Sequence, residues 1–231
     1  MQVETRNTQR SDDYYSTLRP VNGEMLSIYQ IWERGDAFND SVTPATYCPE
    51  YQSHMRLKIE RLTASDAEIF SIGCGNAAIE SLLVQSGRRV AAIDCNEEAV
   101  HLAVGKGIDA TGGDFLGMPE GRLSSYDLVY ADGLVGHLCC PETGLDPFLD
   151  GLERAQLRKN AKLLVSNDAP RSPGMSLEQH GSVAGFWLVS HEHLAERLQA
   201  GGFRILEQYT FPYARPQSGL RDRSICIAER I

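Results

Sequence analysis

The stretch IFSIGCGNAAIE, Ile69 to Glu80, reads as an apolar strand, a glycine-rich turn and the first turns of a helix. Gly73 and Gly75 follow the strand directly, and the helix beyond them carries Ala78, Ile79, Leu82 and Leu83 on the face turned to a sheet. Glycine lets backbone and ligand approach closely, and the carboxyl end of a first strand is where doubly wound sheets hold nucleotide-type ligands. A strand-helix corner with glycines for turn geometry alone is the plainer reading. The acidic residues that follow weigh against it.

Downstream, short apolar runs alternate with amphipathic ones: EIFSI, AAIESLLVQSG, RRVAAID and NEEAVHLAVGKG, then a short strand near IDATGG, YDLVYAD, the helix LDPFLDGLERAQLR, and AKLLVSND. This alternation predicts an α/β fold, doubly wound, with a mainly parallel sheet covered on both faces. SHEHLAERLQAGG reads as a helix capped by Ser190 and closed by two glycines. The strands FRILEQYTF and RSICIAER have no helix between them, only a polar connection with Pro212, Pro216 and Gly219, so they should pair antiparallel.

Upstream, residues 1–62 read as an N-terminal helical cap, aromatic-rich and interrupted by Pro20, Pro44 and Pro49. Within it GEMLSIYQIWERG and PEYQSHMRLKIERL are predicted helices, the second with Tyr51, Met55, Ile59 and Leu62 on one face. Residues 63–231 form the Rossmann-like, ligand-binding domain.

At 231 residues and 42% hydrophobic, the chain can bury the core of one such domain with a small appendage. A formal net charge of -9 disfavours nucleic acid and anionic lipid as partners and leaves a small-molecule substrate. No apolar run is long enough to span a membrane, and the opening MQVETRNTQRSDD has no apolar signal core, so a cytoplasmic location is expected. The six cysteines lack framework spacing and should be reduced thiols; His137, Cys139 and Cys140 in HLCC lack a second ligand pair, so no metal is expected. The oligomeric state is not legible.

Asp94 ends the second strand, where its carboxylate can accept hydrogen bonds from both ribose hydroxyls of a nucleoside over Gly73. Capping the next helix suits Asn96 better, since it immediately precedes EEAV. GCGNAA with an acid about twenty residues on also satisfies the dinucleotide fingerprint, which keeps an NAD-dependent oxidoreductase as a distant alternative. Three features favour a mononucleoside instead: Asp114 in GGDFLGMP, placed for an exocyclic amine of adenine, the paired terminal strands, and the long aromatic cap.

In that order, IFSIGCGNA, AAID, GGDFLGMP, YDLVYADGLVGHL, AKLLVSND and the closing strand pair resemble the class I S-adenosylmethionine-dependent methyltransferases, small-molecule type, over Glu68 to Ile231. The resemblance implies a seven-stranded sheet with the last strand inserted antiparallel, and S-adenosyl-L-methionine as cofactor. It implies Gly73, Cys74 and Gly75 beside the cofactor's amino-acid part, Asp94 on the ribose, Cys95 and Asn96 flanking the adenine, Asp114 with Phe115 at its edge, and Asp132 near the methionine end. Two positions depart from the family pattern. Ser71 stands where an acid is common, able to bond the amino or carboxylate group without neutralising an ammonium; Ala77 stands where a third glycine is common, at little cost if the helix keeps its distance there.

Methyl transfer is an in-line displacement at a sulfonium carbon, so alignment and water exclusion can supply most of the catalysis. Tyr14 and Tyr15 are candidates to close over the cofactor, with Tyr15 and His137 as the catalytic candidates, His137 as general base. Tyr29 and Trp32, with Tyr47 and Tyr51, are candidates to wall a substrate pocket. The insertion APRSPGMSLEQHGSVAGFWLVS brings His180, Phe186 and Trp187 to the same sheet end, and Arg171 or Arg215 would suit an acceptor's carboxylate or phosphonate. Methyl transfer to a small metabolite or natural-product intermediate is expected. The alternative within the fold is attack of the cofactor's own amine on its carbon chain, releasing methylthioadenosine.

Overall fold

The computed structural model describes residues 14–35, 43–181 and 183–231. The stretch MQVETRNTQRSDD lies outside them. Asn22 and Gly23 take φ of 50° and 86°, and the two-residue turn they form pairs β1 (Arg19–Val21) with β2 (Glu24–Leu26), Val21 opposite Glu24. The helix expected over GEMLSIYQIWERG is therefore confined to α1 (Ile28–Glu33), and its first residues are strand. An Asn-Gly pair is a strong hairpin signal, and Ser27 sets the new boundary through a reciprocal capping box with Gln30.

After α2 (Pro44–Tyr47) comes α3 (Pro49–Leu62), which spans PEYQSHMRLKIERL as expected. Tyr51, Met55 and Ile59 are wholly buried and pack in one cluster with Ile69, Leu128 and Ile225 of the sheet. Each such side chain contributes about 1.5–3 kcal/mol by leaving water. So α3 is one of the helices covering the sheet.

The apolar runs after Glu68 are β3 (Glu68–Ile72), β4 (Arg89–Asp94), β5 (Asp109–Gly112), β6 (Leu128–Asp132) and β7 (Lys162–Asp168), and their pairings with one another are parallel. Their side chains alternate: Ile69, Leu128 and Leu164 face the α3 layer, while Phe70, Val129 and Leu163 face the opposite cluster with Phe148 and Leu194. The covering helices are α4 (Ala78–Gln85), α5 (Glu97–Gly105), the short α6 (Val135–Leu138), α7 (Asp146–Ala155) and α8 (His191–Ala200), the last capped by Ser190 as expected. The insertion after β7 contains a small hairpin, β8 (Leu177–Gln179) with β9 (Trp187–Val189).

The terminal strands, β10 (Phe203–Arg215) and β11 (Gly219–Arg230), are longer than their apolar runs suggest. Pro212, expected in the connection, lies within β10 opposite Asp222. Strand β10 is the sheet edge, where a residue without an N–H can be accommodated. The order is β10-β11-β7-β6-β3-β4-β5, with β11 antiparallel to both neighbours. From β3 the chain runs outward through β4 and β5, then returns to β6 on β3's other side. That reversal opens a crevice at the carboxyl ends of β3 and β6, the position at which open α/β sheets take up ligands.

Candidate active site

Gly73 and Gly75 bend the chain after β3 with φ of 70° and 55°, values a side chain resists. A Cβ on Gly75 would lie 3.3 Å from Trp32, and one on Gly73 3.2 Å from Leu134, so a side chain in the turn would also press on its neighbours. This turn forms one wall of a cavity of about 400 Å³. Asp94 adjoins the turn, 8% exposed, with Oδ2 accepting from Gly75 N and Oδ1 from Asn96 N, both at 2.9 Å. Burial raises its pKa, and those two amides pull it back. Two backbone bonds thus aim the carboxylate, and each oxygen keeps acceptor capacity toward the cavity.

Cys74, Cys95, Asn96, Asp114 and Phe115 also line this cavity. The Asn96 side chain caps α5 through Glu98 N and Ala99 N, the duty assigned to it from sequence. Asp114 Oδ1 accepts from Leu116 N at 2.9 Å, starting a 3-10 turn, and Asp114 is exposed. The Phe115 ring is committed to the core, 5.6 Å from Phe148, where it would collide with any Cβ on Gly151.

At the other end, Asp132 lines the cavity but is saturated. Tyr51 and Tyr130 donate to it, as do Ser166 Oγ and the guanidinium of Arg223. Arg223, 2% exposed, also donates to Asp168 at 2.8 Å, and Arg215 pairs with Asp168 from the other side. Burial works to raise Asp168, but the two arginines prevail and hold it at about 2. Ser71 lies outside the cavity lining, 1% exposed, with Oγ donating to Glu80 Oε1 at 2.5 Å. Glu80 lines the cavity in its place.

Tyr15, Tyr29 and Trp32 form an aromatic ceiling over the turn, the last two edge to face with centroids 5.2 Å apart. Tyr15 Oη and His137 Nε2 are 2.7 Å apart, joining the two residues singled out as catalytic candidates. Enclosure of His137 beside Phe186, at 4.5 Å between centroids, lowers its pKa to about 4, with His180 assisting. The imidazole is thus neutral near pH 7, free of a proton on one nitrogen.

A smaller recess of about 70 Å³ shares Tyr15, Trp32 and His137 with the main cavity and is also bordered by Asp168, His180 and Arg215. Tyr14 borders this recess and not the main cavity. Trp187 borders neither; it lies in β9, and its carbonyl accepts from Asn167 at 2.9 Å. Tyr51 is drawn into the Asp132 network, Tyr47 donates to the Ala214 carbonyl, and Arg171 approaches His180. Sequence reading assigned no role to Glu80 or Arg223. Glu80 is signalled only as an acid in an otherwise apolar helix start, and Arg223 as a charge beside the run SICIA.

No family model matches the chain. A relative described as "Tabtoxin biosynthesis enzyme", from Pseudomonas amygdali pv. tabaci, is 48% identical over 223 residues, covering 96% of this chain and 88% of that protein. Among solved structures, Burkholderia thailandensis 1,6-didemethyltoxoflavin-N1-methyltransferase, bound to 1,6-didemethyltoxoflavin and S-adenosylhomocysteine, matches with a TM-score of 0.66 at 20% identity, over 100% of this chain and 90% of its own. The [4+2]-cyclase SpnF matches at 0.59 with 16% identity, over 77% of this chain and 80% of its own. The solved structures show the fold and the 48% identical relative shows the kinship: the chain belongs to the family of the tabtoxin biosynthesis enzyme and has the fold of the class I S-adenosylmethionine-dependent methyltransferases.

Proposed function

We propose that this protein is an S-adenosylmethionine-dependent methyltransferase acting on a small polar intermediate of natural-product biosynthesis. The observation that carries the reading is the convergence of the Gly73–Gly75 turn, the backbone-cradled Asp94, Asp114 and the Tyr15–His137 pair on one cavity. Asp94 would accept from the two ribose hydroxyls, and Asp114, with one oxygen on Leu116 N, would have the other for the adenine amine. When bound, S-adenosylmethionine supplies an electrophilic methyl group on a sulfonium. Tyr15, Tyr29 and Trp32 exclude water and offer ring faces and edges that tolerate a buried cation better than Lys or Arg would.

The acceptor enters through the recess shared by Tyr15 and His137. Neutral His137 accepts a hydrogen bond there, directly or through Tyr15 Oη, and so keeps the nucleophile's lone pair turned to the methyl group. With its pKa near 4 it orients and relays a proton without retaining it. The relative's part in tabtoxin biosynthesis supports a biosynthetic setting.

Intramolecular cyclisation of the cofactor is favoured by one observation. Trp32 sits 3.3 Å from where a Cβ on Gly75 would be, and the recess beyond the ceiling holds about 70 Å³, so the space for an acceptor there is limited.

Incubation with S-adenosylmethionine, alone and with pools of small metabolites, followed by mass analysis of products, separates the readings. Turnover only with an acceptor, giving S-adenosylhomocysteine and a product heavier by one methylene, is expected. Methylthioadenosine formed without an acceptor, together with the four-membered cyclic amino acid and not homoserine lactone, would establish cyclisation. Protection against melting by NAD and not by S-adenosylhomocysteine would overturn both.

A further inference from the structure

We infer that Glu80 is the group that recognises the ammonium of the cofactor's amino-acid part, taking from α4 the role that Ser71 cannot fill on β3. The inference rests on the S-adenosylmethionine reading and concerns its least specified end.

Four carboxylates line the main cavity, and three have other duties. Asp94 takes two backbone amides, Asp114 takes the Leu116 amide, and Asp132 takes three hydroxyls and the Arg223 guanidinium. Glu80 differs from each. It is 3% exposed, and beyond its own backbone the donor it meets is the neutral hydroxyl of Ser71. A carboxylate held that far from water without a cation is costly. The arrangement is relieved when a ligand brings a positive charge to it.

The position is suited to that task. Glu80 lies in the first turn of α4, immediately after the glycine turn, where the helix dipole favours a negative charge. Ser71 bonds one oxygen, Oε1, which fixes the rotamer and leaves Oε2 for the ligand. The nearby cation, Lys106, is engaged by Glu33 and the Asn76 carbonyl. Ser71, Cys74, Tyr130, Asp132 and Lys106 are the polar groups around Glu80, so the electrostatic balance includes one acid and one base besides Glu80 itself. Burial, aided by Asp132 and opposed by Ser71 and Lys106, pushes Glu80 up to about 7. A cation arriving beside it drives off the proton, so affinity for an ammonium ligand should fall as pH drops below 7.

The test compares two ligands that share a thioadenosine and differ in the amino-acid part: S-adenosylhomocysteine carries the ammonium and a carboxylate, and 5′-methylthioadenosine carries neither; replacing an acid by an amide weakens the hold on an ammonium and would not weaken one on a carboxylate. By calorimetry at pH 8, E80Q should bind S-adenosylhomocysteine about tenfold or more weakly than wild type, and methylthioadenosine within about twofold. Wild-type affinity for S-adenosylhomocysteine should fall between pH 7.5 and 6 with proton release on binding, and E80Q should show neither effect. Equal affinity of wild type and E80Q for S-adenosylhomocysteine would overturn the inference. So would loss of both ligands together, which would mark Glu80 as a structural support of the cavity. Failure of wild type to bind either ligand would instead defeat the cofactor reading, and the inference with it.

Discussion

Behind β6 and β7, Asp132, Asp168, Arg215 and Arg223 alternate in sign and neutralise one another, with Tyr51, Tyr213 and Ser166 completing their hydrogen bonds. Across the cavity, Asp94 and Glu80 are just as enclosed but meet only amides and a hydroxyl. The first group has satisfied its charges internally, and it fixes the terminal hairpin to the strand ends. The second has no ion pair among the described residues, and burial favours the protonated acid in both of its members. At the same depth, matched charges build a wall, and unmatched acids line the cavity in which the proposed ligand would sit.

The largest effect should come from breaking the matched set. R223M removes the cation between Asp132 and Asp168, leaving Asp168 with Arg215 and Asp132 with hydroxyl donors alone; unfolding in urea should show a loss of about 3–5 kcal/mol. The double variant R223M/D132N sharpens the comparison, because it withdraws one of the orphaned charges. It should recover part of the loss. If both variants lose equally, packing and not charge is what the network supplies.

The unmatched set predicts the opposite response. The folded pKa of Glu80, about 7, lies above its unfolded value of 4.5, so the native state holds a proton that the unfolded chain has released. Its contribution is fully present below pH 4.5 and lost as pH rises through 7. In the absence of ligand, E80Q should therefore gain on wild type by about 2–3 kcal/mol between pH 5 and pH 8. Parallel pH curves for the two proteins in urea unfolding would remove Glu80 from the unmatched set. Where the curves diverge as expected, the one substitution stabilises the fold and weakens ligand binding, the pattern of a site that retains strain for function.

The sheet was readable because apolar runs such as EIFSI and LVYAD have β period and length, and the helices between them force parallel crossovers. Asp94 and Asp114 were readable because strand ends in such a sheet converge. Glu80 and Arg223 were not. Arg223 reaches Asp132 across 91 positions, a pairing no local pattern records, and Glu80 meets Ser71 nine residues earlier across a turn whose bend, and not its spacing, brings them together. The hairpin at Asn22–Gly23 was missed for another reason: helical spacing in EMLSIYQIW overshadowed a turn signal that was present. Pro212 similarly argued for a connection, although only its place on the edge strand decides that it can lie within one.

The smallest expected effect concerns the turn itself. From sequence, Ala77 in place of a third glycine was weighed by how closely the helix must approach; the backbone gives a different reason for glycine there, since Ala77 sits at φ 53° and ψ 42° in the left-handed region. An alanine in that conformation costs about 1–2 kcal/mol. Its methyl is wholly buried, in the cluster with Tyr51, Ile79 and Leu83, and contributes about 0.8 kcal/mol. Glycine would relieve the strain, lose the methyl and add unfolded-state freedom worth about 0.4–1 kcal/mol. These nearly cancel, so A77G should change stability by less than about 1 kcal/mol in urea unfolding. A gain well above that would show that the methyl contributes nothing at this corner and that the chain tolerates the strain without compensation.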